Sequence, residues 1–184
     1  MSQGACFVSL HAVVANVSPA LSYALRMIAA LDRVTGAAAT LHRLPGPHPE
    51  VAPSAIFAAE LLVSRLPDGA VTLIDGATLL NLAAALSLDD RRLRPVALVE
   101  RLRWTEPGVG AEEAAARRHL EQGVLALMRV IVAPTAAVAA DVVALGVAAD
   151  VVLIATADET GARALLARLA DRVGWLAAEE AAPL

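Results

Sequence analysis

The stretch Pro67-Asp-Gly-Ala-Val-Thr-Leu-Ile-Asp-Gly76 decides the fold class of this chain. The Pro-Asp-Gly at its start is typical of a turn. Residues 70–74 are a short apolar run with β-branched side chains, which predicts a strand covered on both faces. Asp75 and Gly76 follow at the carboxyl end of that strand. This is the edge at which open α/β sheets bind their ligands.

Apolar runs of strand length alternate with Ala/Leu-rich stretches of helix length along the whole chain. The predicted strands are residues 6–14, 37–42, 70–74, 95–99, 130–133 and 150–155. The predicted helices are residues 18–34, 53–66, 77–88, 111–128, 134–145 and 159–178. This alternation predicts one Rossmann-like α/β/α domain over residues 1–158, with a mostly parallel six-stranded sheet of order 3-2-1-4-5-6. Residues 159–184 are predicted to form a C-terminal helix that packs back on the same domain.

The first predicted helix has clear boundary signals. Ser18 is a suitable N-cap, Pro19 suits the first helical position, and Gly36 is a suitable stop. Its predicted apolar face consists of Leu21, Leu25, Ile28 and Leu31.

Composition excludes several classes of protein. The formal net charge of the 184 residues is −4 without a basic block, which argues against a nucleic-acid partner. Residues 130–148 are apolar, but Pro134, Asp141 and Gly146 divide them into a strand and a helix, so we expect no transmembrane segment. The N-terminus lacks the charged start of a secretory signal, and we expect a cytoplasmic protein. The lone cysteine, Cys6, is predicted to be buried in the first strand and has no partner for an internal disulfide.

Standard cofactor motifs do not occur in the sequence. It has no G-x-G-x-x-G, no P-loop, no G-x-S-x-G and no spacing of His, Asp and Glu typical of metal ligands. We therefore expect neither a cofactor nor a metal.

Two carboxylates in predicted loops are candidate ligand-binding groups, each with a structural alternative. Asp75 is placed to contact a ligand hydroxyl, or to cap the following helix or a loop amide. Glu106, before Pro107-Gly108, either faces a ligand cleft or is a solvated loop carboxylate.

The segment after the fourth strand is the longest irregular one with mixed charge, and functional residues concentrate in such loops. Arg101 and Arg103 beside Trp104 suit a phosphate or a sugar face, or else belong to a partner-binding or merely exposed loop. Among the histidines, His11 is predicted in the sheet and His48 at the surface.

Sequence motifs in a fixed order carry a resemblance to a known family. They are Ser22-Tyr23 with Arg26, Leu44-Pro-Gly-Pro47, Leu66-Pro-Asp-Gly69 with Asp75-Gly76, Val96–Val99 with Glu106 and Gly108, and Val132-Ala-Pro-Thr135 with Gly146-Val147. Over roughly residues 5–155, the chain resembles the N-terminal, acceptor-side domain of GT-B-fold retaining glycosyltransferases, which act from nucleotide sugars. The resemblance implies a Rossmann-like fold and an acceptor site at the carboxyl edge of the sheet.

The chain also departs from the family at functional positions. Family members have a glycine pair after the first strand, where this chain has Ala15-Asn-Val-Ser18. They have histidines after the fourth strand, where this chain has Glu100 and Arg101. Their donor-binding second domain, with its basic pair and E-x7-E arrangement, has no counterpart after Asp158.

The resemblance and these departures predict a non-catalytic binding or assembly module. We expect a homo- or hetero-oligomer, with a separate donor-binding chain as one candidate partner. The alternative is the acceptor-side subunit of a split glycosyltransferase that is active only in a complex. The expected ligand-binding residues, none of them assigned a catalytic role, are Asn16, Ser18, Asp75, Glu100, Arg101, Arg103, Trp104 and Glu106.

Overall fold

The structure, a computed structural model, describes residues 9–175, and strands alternate with helices throughout that range. The strands are β1 Leu10–Ala15, β2 Thr40–Leu44, β3 Val71–Asp75, β4 Arg94–Leu98, β5 Val130–Ala133 and β6 Val152–Ile154. The helices are α1 Tyr23–Thr35, α2 Pro53–Ser64, α3 Leu79–Asp89, α4 Ala111–Leu125, α5 Ala136–Val143 and α6 Glu159–Val173. Short 3-10 turns lie at Pro19–Leu21, Arg103–Thr105 and Ala149–Val151.

The six strands form one fully parallel sheet, which confirms the predicted fold class, but the predicted strand order is wrong. The order is β2-β1-β3-β4-β5-β6, so β3 pairs directly with β1 and β2 lies at the edge. Crossover handedness alone permits either order. The composition of the strands explains the choice, because every residue of β3 is buried whereas β2 exposes Thr40, Leu41 and Arg43.

Helices cover both faces of the sheet and create two apolar layers. On one face α1 packs over β1 and α6 packs over β5 and β6, with Leu31 and Leu165 among the buried residues. On the other face α2, α3, α4 and α5 form the second layer, with Leu82 and Leu125 among its buried residues. Because alternate residues of a strand point to opposite faces, Ala12 lies in the first layer and its neighbour Val13 in the second.

The start of α1 differs from the sequence prediction. Ser22, not Ser18, is its N-cap, and the Ser22 side chain accepts a hydrogen bond of 3.2 Å from the Leu25 amide. The backbone of Ser22 is extended, so Pro19–Leu21 form a separate turn ahead of the helix. Leu21, predicted to lie on the buried helix face, is therefore 77% exposed.

Two predicted segments extend past the described residues. The predicted first strand includes Cys6, which lies outside them, as do Leu176 and the rest of residues 176–184. Helix α6 ends at Val173, earlier than predicted, because Gly174 follows in the left-handed conformation at φ 63°. Within residues 9–175, no helix has the length and apolar character needed to cross a bilayer.

Candidate functional site

A cavity of about 200 Å³ lies at the carboxyl edge of the sheet, beside the ends of β1, β3 and β4. Chain connections from β1 and β3 leave to opposite faces there, because α1 belongs to one layer and α3 to the other. Such a topological switch point is where doubly wound sheets bind ligands. The residues around the cavity are Ala15, Val17, Leu21, Ser22, Pro47, His48, Asp75, Gly76, Ala77, Glu100, Arg101 and Arg103.

Asp75 ends β3 and is only 9% exposed. Its carboxylate accepts backbone hydrogen bonds from Ala15 at 3.3 Å and Ala77 at 3.1 Å. Burial raises the pKa of Asp75 above its ordinary value, and the two backbone hydrogen bonds only partly offset that rise. The carboxylate thus joins the ends of β1 and β3 while it lines the cavity. It does not cap α3, whose N-cap is Thr78.

Gly76 brings the chain close to the end of β4. Its amide donates to the Leu98 carbonyl at 2.9 Å. A Cβ at this position would lie 3.1 Å from the Leu98 oxygen and 3.2 Å from the Val99 Cα, both backbone atoms. A side chain at position 76 would force these two backbones apart. The Asp75-Gly76 pair, which was predicted to lie at the ligand-binding edge, therefore also determines the floor of the cavity.

The predicted charged residues after β4 form one rim of the cavity. Oε1 of Glu100 lies 3.8 Å from Nη2 of Arg26, and both side chains are well exposed. The Arg101 side chain is 74% exposed. Arg103 is mostly buried and connects two loops, because it donates to a Glu106 oxygen at 2.7 Å and to the His48 carbonyl at 3.2 Å.

Glu106 is not among the residues that line the cavity, although its oxygen lies 3.9 Å from Nε of Arg101, which does line it. Its two oxygens accept hydrogen bonds from Arg103 and Arg117, both at 2.7 Å. Burial alone would raise the pKa of Glu106, but the hydrogen bonds and charges of the two arginines outweigh burial and lower it. Glu106 is therefore an ion-paired residue that holds the loop.

Trp104 also lies outside the cavity lining. Its ring packs against the apolar layer of α2, α3 and α4, and the guanidinium of Arg118 stands 5.1 Å from the ring centroid. The predicted stacking surface for a ligand is thus occupied by the protein's own arginine.

The loop after β1 contributes less than its sequence predicted. Asn16 and Ser18 are exposed and do not line the cavity, whereas their neighbours Ala15 and Val17 do. The Asn16 amide donates to the Leu44 carbonyl at 3.0 Å, which ties this loop to the end of β2.

Glu121 on α4 is a supporting residue that sequence reasoning missed. Its carboxylate is buried and accepts hydrogen bonds from the backbone amides of Arg103 at 2.8 Å and Trp104 at 3.1 Å. Burial raises the pKa of Glu121, and these two bonds oppose that rise. The sequence contained one signal, since Val124 and Leu125 follow three and four residues later on the buried helix face.

His48 was predicted at the surface, but it is half-buried and lines the cavity. Its Nδ1 lies 2.9 Å from Nδ2 of Asn81, which also donates to the Pro49 carbonyl at 3.0 Å. Nε2 of His48 is buried and has no hydrogen-bond partner among residues 9–175. Burial lowers the pKa of His48 below its ordinary value.

The site offers hydrogen-bonding groups rather than a metal centre. In the part of the chain that the structure describes, no three His, Cys, Asp or Glu side chains are grouped to hold a metal ion. No protein-family model matches the chain, and no curated protein has significant sequence similarity to it. The chemistry of the cavity therefore rests on its own residues, with a carboxylate and an imidazole inside and mixed charges at the mouth.

Proposed function

We propose that this chain is a binding and assembly module similar to the acceptor-side domain of glycosyltransferases, without catalytic activity of its own. The observation that carries the proposal is the position of Asp75 at the base of a switch-point cavity. A buried carboxylate with two backbone hydrogen bonds keeps further lone pairs for a ligand hydroxyl. Because these bonds fix its orientation, Asp75 suits the binding of a hydroxyl-bearing acceptor.

The mouth of the cavity supports an assembly role. Leu21 is 77% exposed and Val17 is 42% exposed, and both line the opening. Apolar residues grouped beside a ligand opening are typical of a surface that another protein covers. The partner in this proposal is a second copy of the chain or a separate donor-binding chain.

The alternative is an acceptor-side subunit of a split glycosyltransferase. It is favoured by Arg101, whose guanidinium is exposed at the cavity mouth where a donor diphosphate on a partner chain would approach. Under this alternative, transfer from a nucleotide sugar requires both chains.

Calorimetry with the purified chain tests the main proposal. We expect neutral sugars to bind and the Asp75→Ala variant to lose at least about tenfold in affinity. We expect no binding of UDP-glucose or GDP-mannose, and no release of nucleotide from them. The His119→Gln variant, changed at an exposed position of α4, is the matched control and keeps the affinity of the unchanged chain.

Three results would decide against it. Micromolar binding of a nucleotide sugar by the isolated chain would overturn the absence of donor recognition. Sugar transfer by the chain alone would overturn the absence of catalysis. A monomeric mass in light scattering at all concentrations, with no partner recovered, would remove the assembly role. Activity that appears only when a donor-binding chain is added would support the alternative.

A further inference from the structure

A second cavity, which we call the α2 groove, lies between helix α2 and the strands β1 and β2. Its volume is about 510 Å³, larger than that of the cavity at the switch point, and the two cavities share no lining residue. The groove exists because α2 packs mainly against α3 and leaves its other side open toward the edge strand β2. The residues that line it are His11, His42, Ala58, Leu61, Leu62, Arg65, Leu66 and Pro67.

Most of the α2 groove is apolar. Helix α2 is rich in apolar residues, yet only Ala59 and Val63 of this helix are buried. Leu61, which lines the groove, is 40% exposed. A helix with apolar residues on several sides is normally covered on more than one of them. The groove therefore offers a contact surface for the apolar part of a ligand.

Arg65 supplies a positive charge to the groove. It follows the last turn of α2 and is exposed. Its guanidinium forms neither an ion pair nor a hydrogen bond within residues 9–175. Asp68, the nearest acidic residue along the chain, pairs with Arg92 instead. Arg65 is therefore an uncompensated cation on the groove wall, and a carboxylate is a suitable partner for a guanidinium.

The other polar residues of the groove are two histidines that bond to each other. Nδ1 of His11 lies 3.0 Å from Nε2 of His42, and Nε2 of His11 lies 3.1 Å from Oγ of Ser9. Burial lowers the pKa of both histidines, so the pair is uncharged at neutral pH. Among the described residues, no acidic side chain lines the groove. A ligand with a single negative charge therefore balances the charge of Arg65.

We propose that the α2 groove binds a small molecule with one carboxylate and an apolar chain, such as a medium-chain fatty acid. Arg65 pairs with the carboxylate, while Leu61 and Leu62 contact the chain. A phosphate monoester carries more than one negative charge at neutral pH, so Arg65 alone does not compensate it. An amine with the same chain is repelled by Arg65. This inference goes beyond the proposed function, because it concerns a different cavity.

The first test compares three ligands by NMR titration of the ¹⁵N-labelled protein at neutral pH. Octanoate has both proposed features, octanol has the chain without the charge, and acetate has the carboxylate without the chain. We expect octanoate, below the concentration at which it forms micelles, to bind at least about tenfold more tightly than either of the others. If octanol or acetate bound as tightly as octanoate, or octanoate did not bind, the proposal would be wrong.

A matched pair of arginine variants tests the role of the charge. Arg65→Gln is expected to weaken octanoate binding about tenfold, to the level of octanol. Arg43→Gln removes an exposed arginine of β2 that does not line the groove, and it should keep the affinity within about twofold. An unchanged affinity in Arg65→Gln, or an equal loss in both variants, would overturn the proposed pairing.

A second pair of variants tests the location. Ala58→Glu adds a negative charge at an exposed position of the groove wall, and we expect octanoate affinity to fall at least about tenfold. Ser54→Glu adds the same charge on α2 outside the lining and should leave the affinity unchanged. Circular dichroism checks that both variants fold. Unchanged octanoate binding in Ala58→Glu would exclude the α2 groove as the site, while the proposed function at the switch-point cavity would stand.

Discussion

Asp75 and Glu106 are both carboxylates in loops at the carboxyl edge of the sheet, yet the structure surrounds them differently. Asp75 is buried with two backbone amides and lines the cavity. Glu106 is held by the guanidinium groups of Arg103 and Arg117 and lies outside the cavity. Charge compensation therefore distinguishes them, because a carboxylate paired with two cations has little capacity left for a ligand.

The loops that carry the two residues are also supported differently. The floor at Asp75 is built from backbone contacts between strands, including the bond from Gly76 to Leu98. The loop of Glu106 is held from outside the sheet by side chains of α4, namely Arg117 and Glu121. Mutations that remove each kind of support test whether the two loops contribute differently to the stability of the protein.

The largest effect is expected for Glu121→Ala. The change leaves the part-buried amides of Arg103 and Trp104 without acceptors. Each unpaired buried amide costs about 1–3 kcal/mol, so we expect the free energy of unfolding to fall by about 2–4 kcal/mol. Urea denaturation measures this loss. Glu112→Ala, which removes an exposed carboxylate of the same helix, serves as the control and should change stability by less than about 0.5 kcal/mol.

Asp75→Ala is expected to lower stability by about 1–2 kcal/mol, because the amides of Ala15 and Ala77 lose their shared acceptor. Asp68→Ala removes an 85% exposed carboxylate near the same strand and should be almost neutral. If both variants unfold at the same urea concentration, Asp75 does not join the ends of β1 and β3 as described.

Local sequence patterns were sufficient for the fold class but not for the strand order. The alternation of apolar runs and helical stretches predicted a parallel six-stranded sheet. The position of β3 beside β1 depends on pairing between distant strands, which periodicity does not report. The polar residues of β2, with Thr40, His42 and Arg43, were the available indication of an edge strand.

The candidate site was predictable where a residue directly follows a strand. Asp75, Glu100 and Arg101 line the cavity because the carboxyl ends of neighbouring parallel strands meet there. His48 was missed because its partner Asn81 lies 33 residues away. Trp104 and Glu106 were assigned to a ligand because Arg118 and Arg117, which contact them, come from α4 and not from the same loop.

Glu106→Gln is expected to cost about 1 kcal/mol, less than either change above. The side chain is partly exposed, and ion pairs near the surface contribute modestly. We expect glucose affinity, measured by calorimetry, to stay within about twofold, since Glu106 does not line the cavity. A loss of tenfold in affinity would place Glu106 in the binding machinery and remove the distinction from Asp75.

The smallest expected effect concerns the pH dependence of stability, which should have opposite signs for the two carboxylates. Glu106 has a lowered pKa, so its contribution is complete above its unfolded pKa of about 4.5 and is lost as pH falls through the folded pKa. Asp75 has a raised pKa, so the folded state binds protons first as pH falls from neutrality. Relative to Asp75→Asn, the unchanged protein should therefore gain stability on acidification.

Urea denaturation between pH 7 and pH 3 measures both differences. The stability gap between the unchanged protein and Glu106→Gln should narrow toward the acid end. Over the same interval, the unchanged protein should gain stability relative to Asp75→Asn. If these two stability differences had equal slopes against pH, the two carboxylates would have similar surroundings.

The close approach of Gly76 to the backbone of β4 has a consequence for the entropy of binding. Because the floor is fixed by contacts between strands, a ligand that touches only Asp75 and its neighbours orders little additional chain. The exposed side chains of Glu100 and Arg101 at the rim lose rotamer freedom when a ligand reaches them. A compact ligand therefore binds a preorganised surface, whereas each extension toward the rim must offset the ordering of a flexible side chain.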